Sequence, residues 1–151
     1  MLKPFKIPET KKVRKPKGQA HPKPESTDLK IPFFSVEGLT IQGKPVGSTL
    51  EYNIAAALDL LEIGYKYQVW VLGGRIRGGS VVDFEVYTLP VSTFVFAQGD
   101  YWHTRGNKED EDQFLFSRIE STYHKKVVQI WEHQCLTVQM AMQVLKAELR
   151  L

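Results

Sequence analysis

The chain has 151 residues, of which 42% are hydrophobic and 25% are charged, and its formal net charge is +3 at pH 7. This length predicts one domain with an extension, and the apolar content suffices for a packed core of modest size. A single cysteine, Cys135, excludes an internal disulfide and favours a reducing compartment. Because no apolar stretch is long enough to cross a bilayer and the first residues do not resemble a signal peptide, the sequence predicts a cytoplasmic protein without membrane contact.

The first 24 residues are strongly basic, with eight lysine or arginine side chains and one acid, Glu9. Five prolines in this segment deny it helical and ladder hydrogen bonds. We therefore predict a disordered basic tail at residues 1–30 and a folded domain at residues 31–151. A flexible basic arm favours a nucleic-acid partner, although solubility or an acidic protein partner are alternative explanations. The side chains predicted to hold nucleic acid are Lys11, Lys12, Arg14, Lys15 and Lys17.

Residues 31–36 are predicted to form a short strand or a segment that packs across the core, and residues 43–47 a loop. Apolar residues at helical spacing predict a helix from Ser48 to about Ile63, with Gly64 as its end. We predict an α/β (α+β) fold in which a central mixed sheet of about four strands is flanked by helices. The remaining predicted elements are strands at 67–72, 81–87 and 93–97, a helix at 109–122, a strand at 126–131 and a helix at 137–149.

Two carboxylates, Asp83 and Glu85, lie in the predicted strand at 81–87. Residues two apart in a strand share a face, so we expect the two side chains to lie side by side. Such a pair is unfavourable unless water, a cation or a metal offsets the repulsion, and Mg²⁺ needs only one or two protein carboxylates. The solvated face of an antiparallel sheet is the competing interpretation. Asp83 is the better metal candidate, because its neighbours in the strand are apolar.

Glu51 has two interpretations. The segment Ser48-Thr49-Leu50-Glu51 fits a capping box, in which the carboxylate of Glu51 bonds back to the Ser48 backbone. The same carboxylate could instead hold a metal ion. The sequence supports both roles.

Several segments in chain order resemble the very-short-patch-repair endonuclease branch of the PD-(D/E)XK nucleases. The resemblance covers residues 46–148 approximately and implies a restriction-endonuclease-like core. The activity that it implies is hydrolysis of phosphodiester bonds in DNA, dependent on Mg²⁺ with Mn²⁺ as a substitute. The segments that carry the resemblance are Glu51, Tyr65–Val69, Gly79–Phe84, Val95–His103 and Val127–Glu132.

The resemblance also implies roles for individual residues. Glu51, Asp83 and the main-chain carbonyl of Ala97 would hold the metal, with Glu85 as a further ligand if it faces the same site. His103 occupies the position of the catalytic histidine of this branch and would transfer a proton. Gln98 would orient the water or the phosphate. These residues are the expected catalytic and metal site.

The chain departs from the family pattern in two respects. The wider superfamily has an acid-x-Lys motif on the second strand, whereas this chain reads Gln98-Gly99-Asp100 without a lysine. The repair branch carries a histidine in place of Gln98 and has cysteine and histidine ligands for a structural zinc, which one cysteine cannot supply. A second hypothesis therefore stays open: a catalytically inactive nuclease fold that serves as a nucleic-acid-binding or structural subunit of a larger protein or ribonucleoprotein assembly.

Four further basic residues are predicted to contact nucleic acid. Arg75 and Arg77 lie in the glycine-rich connector between two predicted strands, where a hairpin tip could reach a phosphate backbone. Arg105 and Lys108 follow His103. The glycines fit a tight turn and do not form a nucleotide-binding loop, because a strand rather than a helix follows them. We expect DNA rather than RNA as the partner, and a homodimer or a larger assembly as the functional form.

Overall fold

A computed structural model of the chain describes residues 35–100 and 108–151. Within these residues the fold is α+β, with a four-stranded mixed sheet, a two-stranded hairpin and three α-helices. The fold class is thereby confirmed at this level. The predicted basic tail lies outside the described residues, and so do residues 31–34 of the predicted first strand.

The elements agree closely with those predicted. The loop predicted at 43–47 is wrong in part, because residues on either side of Gly43 pair as a short hairpin. The elements are β1 (Thr40–Ile41), β2 (Lys44–Pro45), α1 (Thr49–Leu60), β3 (Tyr65–Val71), β4 (Ser80–Val86), β5 (Thr93–Gln98), α2 (Lys108–Tyr123), β6 (Val127–Trp131) and α3 (Val138–Leu149).

Helix α1 begins as predicted and ends earlier. Ser48 is the N-cap, and its hydroxyl accepts a hydrogen bond of 3.2 Å from the Glu51 N–H. At the other end Glu62 adopts a left-handed φ of 56°, and Ile63 N–H bonds back to the Leu58 carbonyl at 3.0 Å. Gly64 therefore does not end the helix. Its carbonyl instead accepts a hydrogen bond from Tyr87 N–H at 2.8 Å, just before β3 begins.

The four-stranded sheet has the order β3-β4-β5-β6. The first three strands form an antiparallel meander, and β6 lies parallel to β5 after the crossover through α2. Parallel strands end at the same edge of a sheet, so the residues that follow β5 and β6 meet there.

The core consists of two apolar clusters on opposite faces of the sheet. The first cluster contains α1 and α3 and includes Ile54, Phe84 and Leu145. The second contains α2 and includes Val82 and Ile119. Strand β5 contributes to both clusters because successive side chains of a strand point to opposite faces.

Strands β3 and β4 change faces midway along their length. Tyr67 and Phe84 belong to the first cluster, whereas Val82 belongs to the second, although its position in the strand should place it with Phe84. Gln68 has a left-handed φ of 52°, and the register of the flanking pairs places it opposite Asp83. The hairpin therefore twists locally at Gln68 and Asp83, which changes the side of the sheet that Asp83 faces.

Candidate functional site

Asp83 is half-buried and is anchored to the next strand. The Ala97 N–H donates a hydrogen bond of 2.8 Å to Asp83 Oδ2. The pKa of Asp83 is raised to about 7: burial raises it most, the hydrogen bond from Ala97 lowers it, and the charge of Glu51 raises it. Asp83 on β4 and Glu51 on α1 therefore lie close enough for one carboxylate to oppose ionisation of the other.

The carboxylate of Glu51 accepts two side-chain hydrogen bonds. Ser48 Oγ donates a hydrogen bond of 3.0 Å to Oε1, and the hydroxyl of Tyr67 donates a short hydrogen bond to Oε2. The Gly47 N–H in turn donates to the Tyr67 hydroxyl at 3.2 Å. Gly47 also leaves room for the carboxylate, since a Cβ there would lie 2.7 Å from Glu51 Oε1. The N-terminus of α1 thus positions Glu51 as more than a capping residue.

Tyr67 connects this carboxylate to the sheet. It is buried on β3, and its ring packs against Phe84 with centroids 5.2 Å apart. Burial, followed by the hydrogen bond to Glu51, raises the pKa of its hydroxyl well above the usual value. Tyr67 therefore stays protonated and donates to Glu51.

A cleft of about 350 Å³ opens between the start of α1 and the end of β5. Gln98, a predicted site residue, lies in it directly after Ala97, and so does Glu132 from the turn that follows β6, which was not a predicted site residue. The residues that line the cleft are Ser48, Leu50, Glu51, Ala97, Gln98, Gly99 and Glu132.

The parallel strands β5 and β6 bring the polar residues Asp100, Glu132 and His133 together at the edge of this cleft. After β6, residues Glu132–Gln134 form a 3-10 turn, and the buried Asn53 of α1 fixes its end through a 2.9 Å bond to the Cys135 carbonyl. The Asp100 N–H donates to Glu132 Oε2 at 3.4 Å, and His133 Nδ1 lies 2.7 Å from Asp100 Oδ1. The carboxylate of Asp100 thereby pairs with an exposed imidazole beside the cleft.

Glu85 does not share the neighbours of Asp83. It forms an ion pair with Lys125 and accepts a hydrogen bond of 2.7 Å from Ser92 Oγ. Burial alone would raise the pKa of Glu85, but the hydrogen bonds from Lys125 and Ser92 and the charge of Lys125 lower it overall. The sequence predicted Glu85 beside Asp83 on one strand face; the twist at Asp83 separates them, and Glu85 is engaged by a cation of the chain itself.

The remaining predicted site residues fall into two groups. Arg75 and Arg77 are exposed in the connector between β3 and β4, away from the cleft-lining residues. The others lie outside the described residues, or in the case of Lys108 at a helix start whose side chain is not described: His103, Arg105, Lys108, Lys11, Lys12, Arg14, Lys15 and Lys17.

The donor set suits a hard divalent cation with a partly open coordination sphere. In residues 35–100 and 108–151, no three Asp, Glu, His or Cys side chains are grouped closely enough to hold a metal ion. Mg²⁺ nevertheless binds through one or two carboxylates and keeps several waters. The carboxylate of Asp83, which the charge of Glu51 discourages from ionising, lies next to the main chain at Ala97 and fits that requirement.

Tyr67, Glu132 and His133 were not predicted as site residues. Glu132 and His133 directly follow an apolar strand, and the register of β5 and β6, continued past Gln98 and Trp131, places them beside Gly99 and Asp100. A parallel pairing of these strands would have predicted that the two polar groups meet. Nothing in the sequence marked Tyr67, because its role depends on a hydrogen bond to a side chain 16 residues away.

Comparisons with protein-family models, with curated proteins and with solved structures found no match to this chain. Among the described residues, no helix is both long and apolar enough to span a membrane.

Proposed function

We propose that this chain is a metal-dependent endonuclease with a restriction-endonuclease-like core, which hydrolyses phosphodiester bonds in DNA. One observation carries the proposal: Glu51 on α1 and Asp83 at the twist of β4, 32 positions apart in the sequence, lie near each other, and burial together with the charge of Glu51 raises the pKa of Asp83 to about 7 against the hydrogen bond from Ala97. A perturbed carboxylate beside a polar cleft is typical of catalytic sites.

Glu51, Asp83 and the main-chain carbonyl of Ala97 would hold Mg²⁺ or Mn²⁺. When bound, such a cation supplies an activated water and offsets charge on the phosphate. The chain's own residues position this site. Tyr67 and Ser48 fix the carboxylate of Glu51, and the Ala97 N–H fixes that of Asp83.

Two residues would contact the substrate. Gln98, whose position at the end of β5 directs it to the cleft, would orient the phosphate or the attacking water. His103 would transfer a proton, as the resemblance implies; it lies outside the described residues.

The test is cleavage of labelled linear, mismatched and branched DNA with Mg²⁺ or Mn²⁺ by the intact chain, by Asp83→Asn and by Glu51→Gln. We expect metal-dependent cleavage by the intact chain and a loss of at least about a hundredfold in each variant, since each change removes a ligand of the ion. Glu85→Gln is the matched control, because it removes a carboxylate from the same strand that pairs with Lys125. Cleavage that survives Asp83→Asn would contradict the proposal.

The second candidate function is that of an inactive nuclease fold that binds nucleic acid or supports a larger assembly. It is favoured by the engagement of Glu51 with Ser48 and Tyr67 and by the absence of a lysine on β5. Binding of DNA without cleavage, unchanged by Asp83→Asn and lost on removal of residues 1–24, would support this candidate over the first.

DNA as the partner is part of the proposal and rests on the basic residues of the chain. A cytoplasmic location is also proposed. Its support is the cysteine usage of the chain: Cys135 is the single cysteine of the sequence and is a free thiol, which is typical of a reducing compartment.

A further inference from the structure

We propose that the tip of the β3–β4 hairpin is a wedge that enters a groove of duplex DNA, with Ile76 as the inserted apolar residue and Arg75 and Arg77 as phosphate contacts on either side. The proposal rests on the nucleic-acid substrate proposed above and specifies how the chain engages a double strand. Its evidence comes from a part of the molecule separate from the carboxylate cleft.

The tip exposes apolar side chains whose surface is not buried within the monomer. Ile76 is 68% exposed and Trp70 at the base of the tip is 54% exposed. Arg75 covers one face of Trp70, with its guanidinium carbon 4.8 Å from the ring centroid. The indole thus holds Arg75 over its face by a cation–π contact.

The tip is fixed in conformation by its own backbone. Gly74 N–H bonds to the Val71 carbonyl and Gly79 N–H to the Ile76 carbonyl, each at 2.9 Å. Gly79 also passes so close to Gly74 that a Cβ on Gly79 would lie 2.1 Å from the Gly74 oxygen. A loop that is held in this way presents Ile76 with little ordering cost on binding.

The tip is anchored to α2, which supplies a third arginine. Tyr123 OH accepts a hydrogen bond of 2.8 Å from the Leu72 N–H. The guanidinium of Arg118 lies beside the loop, at 4.0 Å from the position that a Cβ on Gly78 would take. The acidic first turn of α2 is separated from Arg118: Glu111 precedes Arg118 by seven residues, which corresponds to roughly 10 Å along the helix axis.

The charge of this surface determines the kind of partner. In the described part of the chain, neither Arg75, Arg77 nor Arg118 forms an ion pair. Residues 70–79 contain no acid. Arginine side chains that flank an apolar residue match the two phosphate strands that border a groove, and apolar wedges between base steps are a recurrent mode of groove binding. An acidic protein would also satisfy the arginines, but it would not require a rigid apolar tip between them.

The test is equilibrium binding of a short fluorescent DNA duplex, and of the corresponding single strand, to the full-length protein in EDTA. Arg75→Gln/Arg77→Gln is expected to weaken duplex binding by about tenfold per arginine near 0.1 M salt and to lower the salt dependence by about two counterions. Ile76→Ser is expected to weaken duplex binding several-fold, with unchanged salt dependence and unchanged single-strand binding.

The matched control is Lys146→Gln/Arg150→Gln, which removes the same charge from exposed positions on and after α3. The proposal is overturned if this control weakens duplex binding as much as the hairpin variant does, or if Ile76→Ser leaves duplex binding unchanged. It is also overturned if Ile76→Ser converts a dimer to a monomer in light scattering, which would assign the tip to a second copy of the chain.

Because EDTA prevents cleavage, the binding result does not depend on the proposed activity. If the hairpin variants lose duplex binding but the intact chain shows no metal-dependent cleavage, the proposed wedge stands and the proposed endonuclease activity is wrong. Cleavage abolished by Asp83→Asn, together with unchanged binding by the hairpin variants, would retain the endonuclease and reject the wedge.

Discussion

Asp83 is a residue whose pKa is strongly raised by burial and by a neighbouring charge. Its folded-state pKa is raised from 3.8 to about 7, so the folded protein holds a proton there that the unfolded chain has already lost. The contribution of Asp83 to stability is therefore complete below pH 3.8 and is lost as the pH rises through about 7. Above that range the ionised carboxylate destabilises the metal-free protein.

We expect Asp83→Asn to raise the free energy of unfolding of the metal-free protein above about pH 8, by on the order of 2–4 kcal/mol, because the amide cannot ionise. The gain should shrink as the pH falls toward 4. Urea unfolding in EDTA across this range measures it. Mg²⁺ should then stabilise the wild type and not the variant; a variant less stable than the wild type at high pH would show that a cation of the chain already neutralises Asp83.

The pKa of Glu85, two residues from Asp83 on the same strand, is shifted in the opposite direction. The ion pair with Lys125 places both side chains in partial burial, with 23% of the Lys125 side chain and 14% of the Glu85 side chain exposed. Because the folded-state pKa of Glu85 is lowered, its contribution to stability is present above pH 4.5 and is lost as the pH falls below that value.

Lys125→Met should lower the free energy of unfolding by about 1–3 kcal/mol at neutral pH, since it leaves a partly buried carboxylate without its hydrogen-bonding cation. The loss should diminish in acid, where Glu85 is protonated in the variant. Lys66→Met is the control, because the charge of Lys66 acts on Glu85 without a hydrogen bond. Equal losses in the two variants at neutral pH would refute the specific role of Lys125.

At the scale of single elements, the twist in the β3–β4 hairpin is the feature that separates the two carboxylates of β4. Gln68 adopts a left-handed backbone conformation within a strand, and the Lys44 ammonium bonds to the carbonyls of Tyr67 and Gln68 at 2.7 and 3.0 Å. The hairpin β1–β2 thus stabilises the irregular segment from its open edge.

We expect Gln68→Val to lower the free energy of unfolding by about 1–2 kcal/mol, because a β-branched side chain disfavours the left-handed region. Lys66→Val, at an exposed strand position with an ordinary φ, should have little effect. Thermal unfolding of the two variants makes the comparison. If Gln68→Val were neutral, the left-handed conformation at this position would not be required in solution.

At the scale of the whole molecule, the sheet is shared by two apolar clusters, and the helix that carries Glu51 packs in the first of them. Helices α1 and α3 pack together in the first cluster, on the side of Tyr67 and Phe84. Helix α2 covers the second cluster. Damage to either cluster should destabilise the fold, but only the first supports the position of Glu51 directly.

Leu145→Ala and Ile119→Ala, at two fully buried positions, should each lower the free energy of unfolding by about 2–5 kcal/mol. Because both clusters pack on one sheet, circular dichroism and tryptophan fluorescence should report a single transition in each variant. Leu145→Ala should also reduce the stabilisation by Mg²⁺ more than Ile119→Ala does. Equal reductions at matched stability would indicate that the position of α1 does not depend on the first cluster.

The sequence by itself determined the three helices and the four strands of the main sheet, although not the short β1–β2 hairpin, because the signals of these elements are local. The N-cap serine and the glutamate three residues later defined the start of α1, and apolar alternation defined the strands to within about two residues. It also singled out Glu51, Asp83 and Gln98, which the structure places at or beside one cleft.

Only the tertiary structure decided which carboxylates share an environment. Strict alternation along β4 predicted that Glu85 and Asp83 share one face of the sheet. The left-handed residue Gln68 on the neighbouring strand changes the face to which Asp83 points. The carboxylate of Glu85 instead pairs with Lys125, 40 residues away in the sequence. Likewise, the meeting of Asp100 with His133 required the parallel pairing of β5 and β6. These arrangements depend on contacts between residues that are distant in the chain. The local periodicity of the sequence carries no information about the free energies of such contacts.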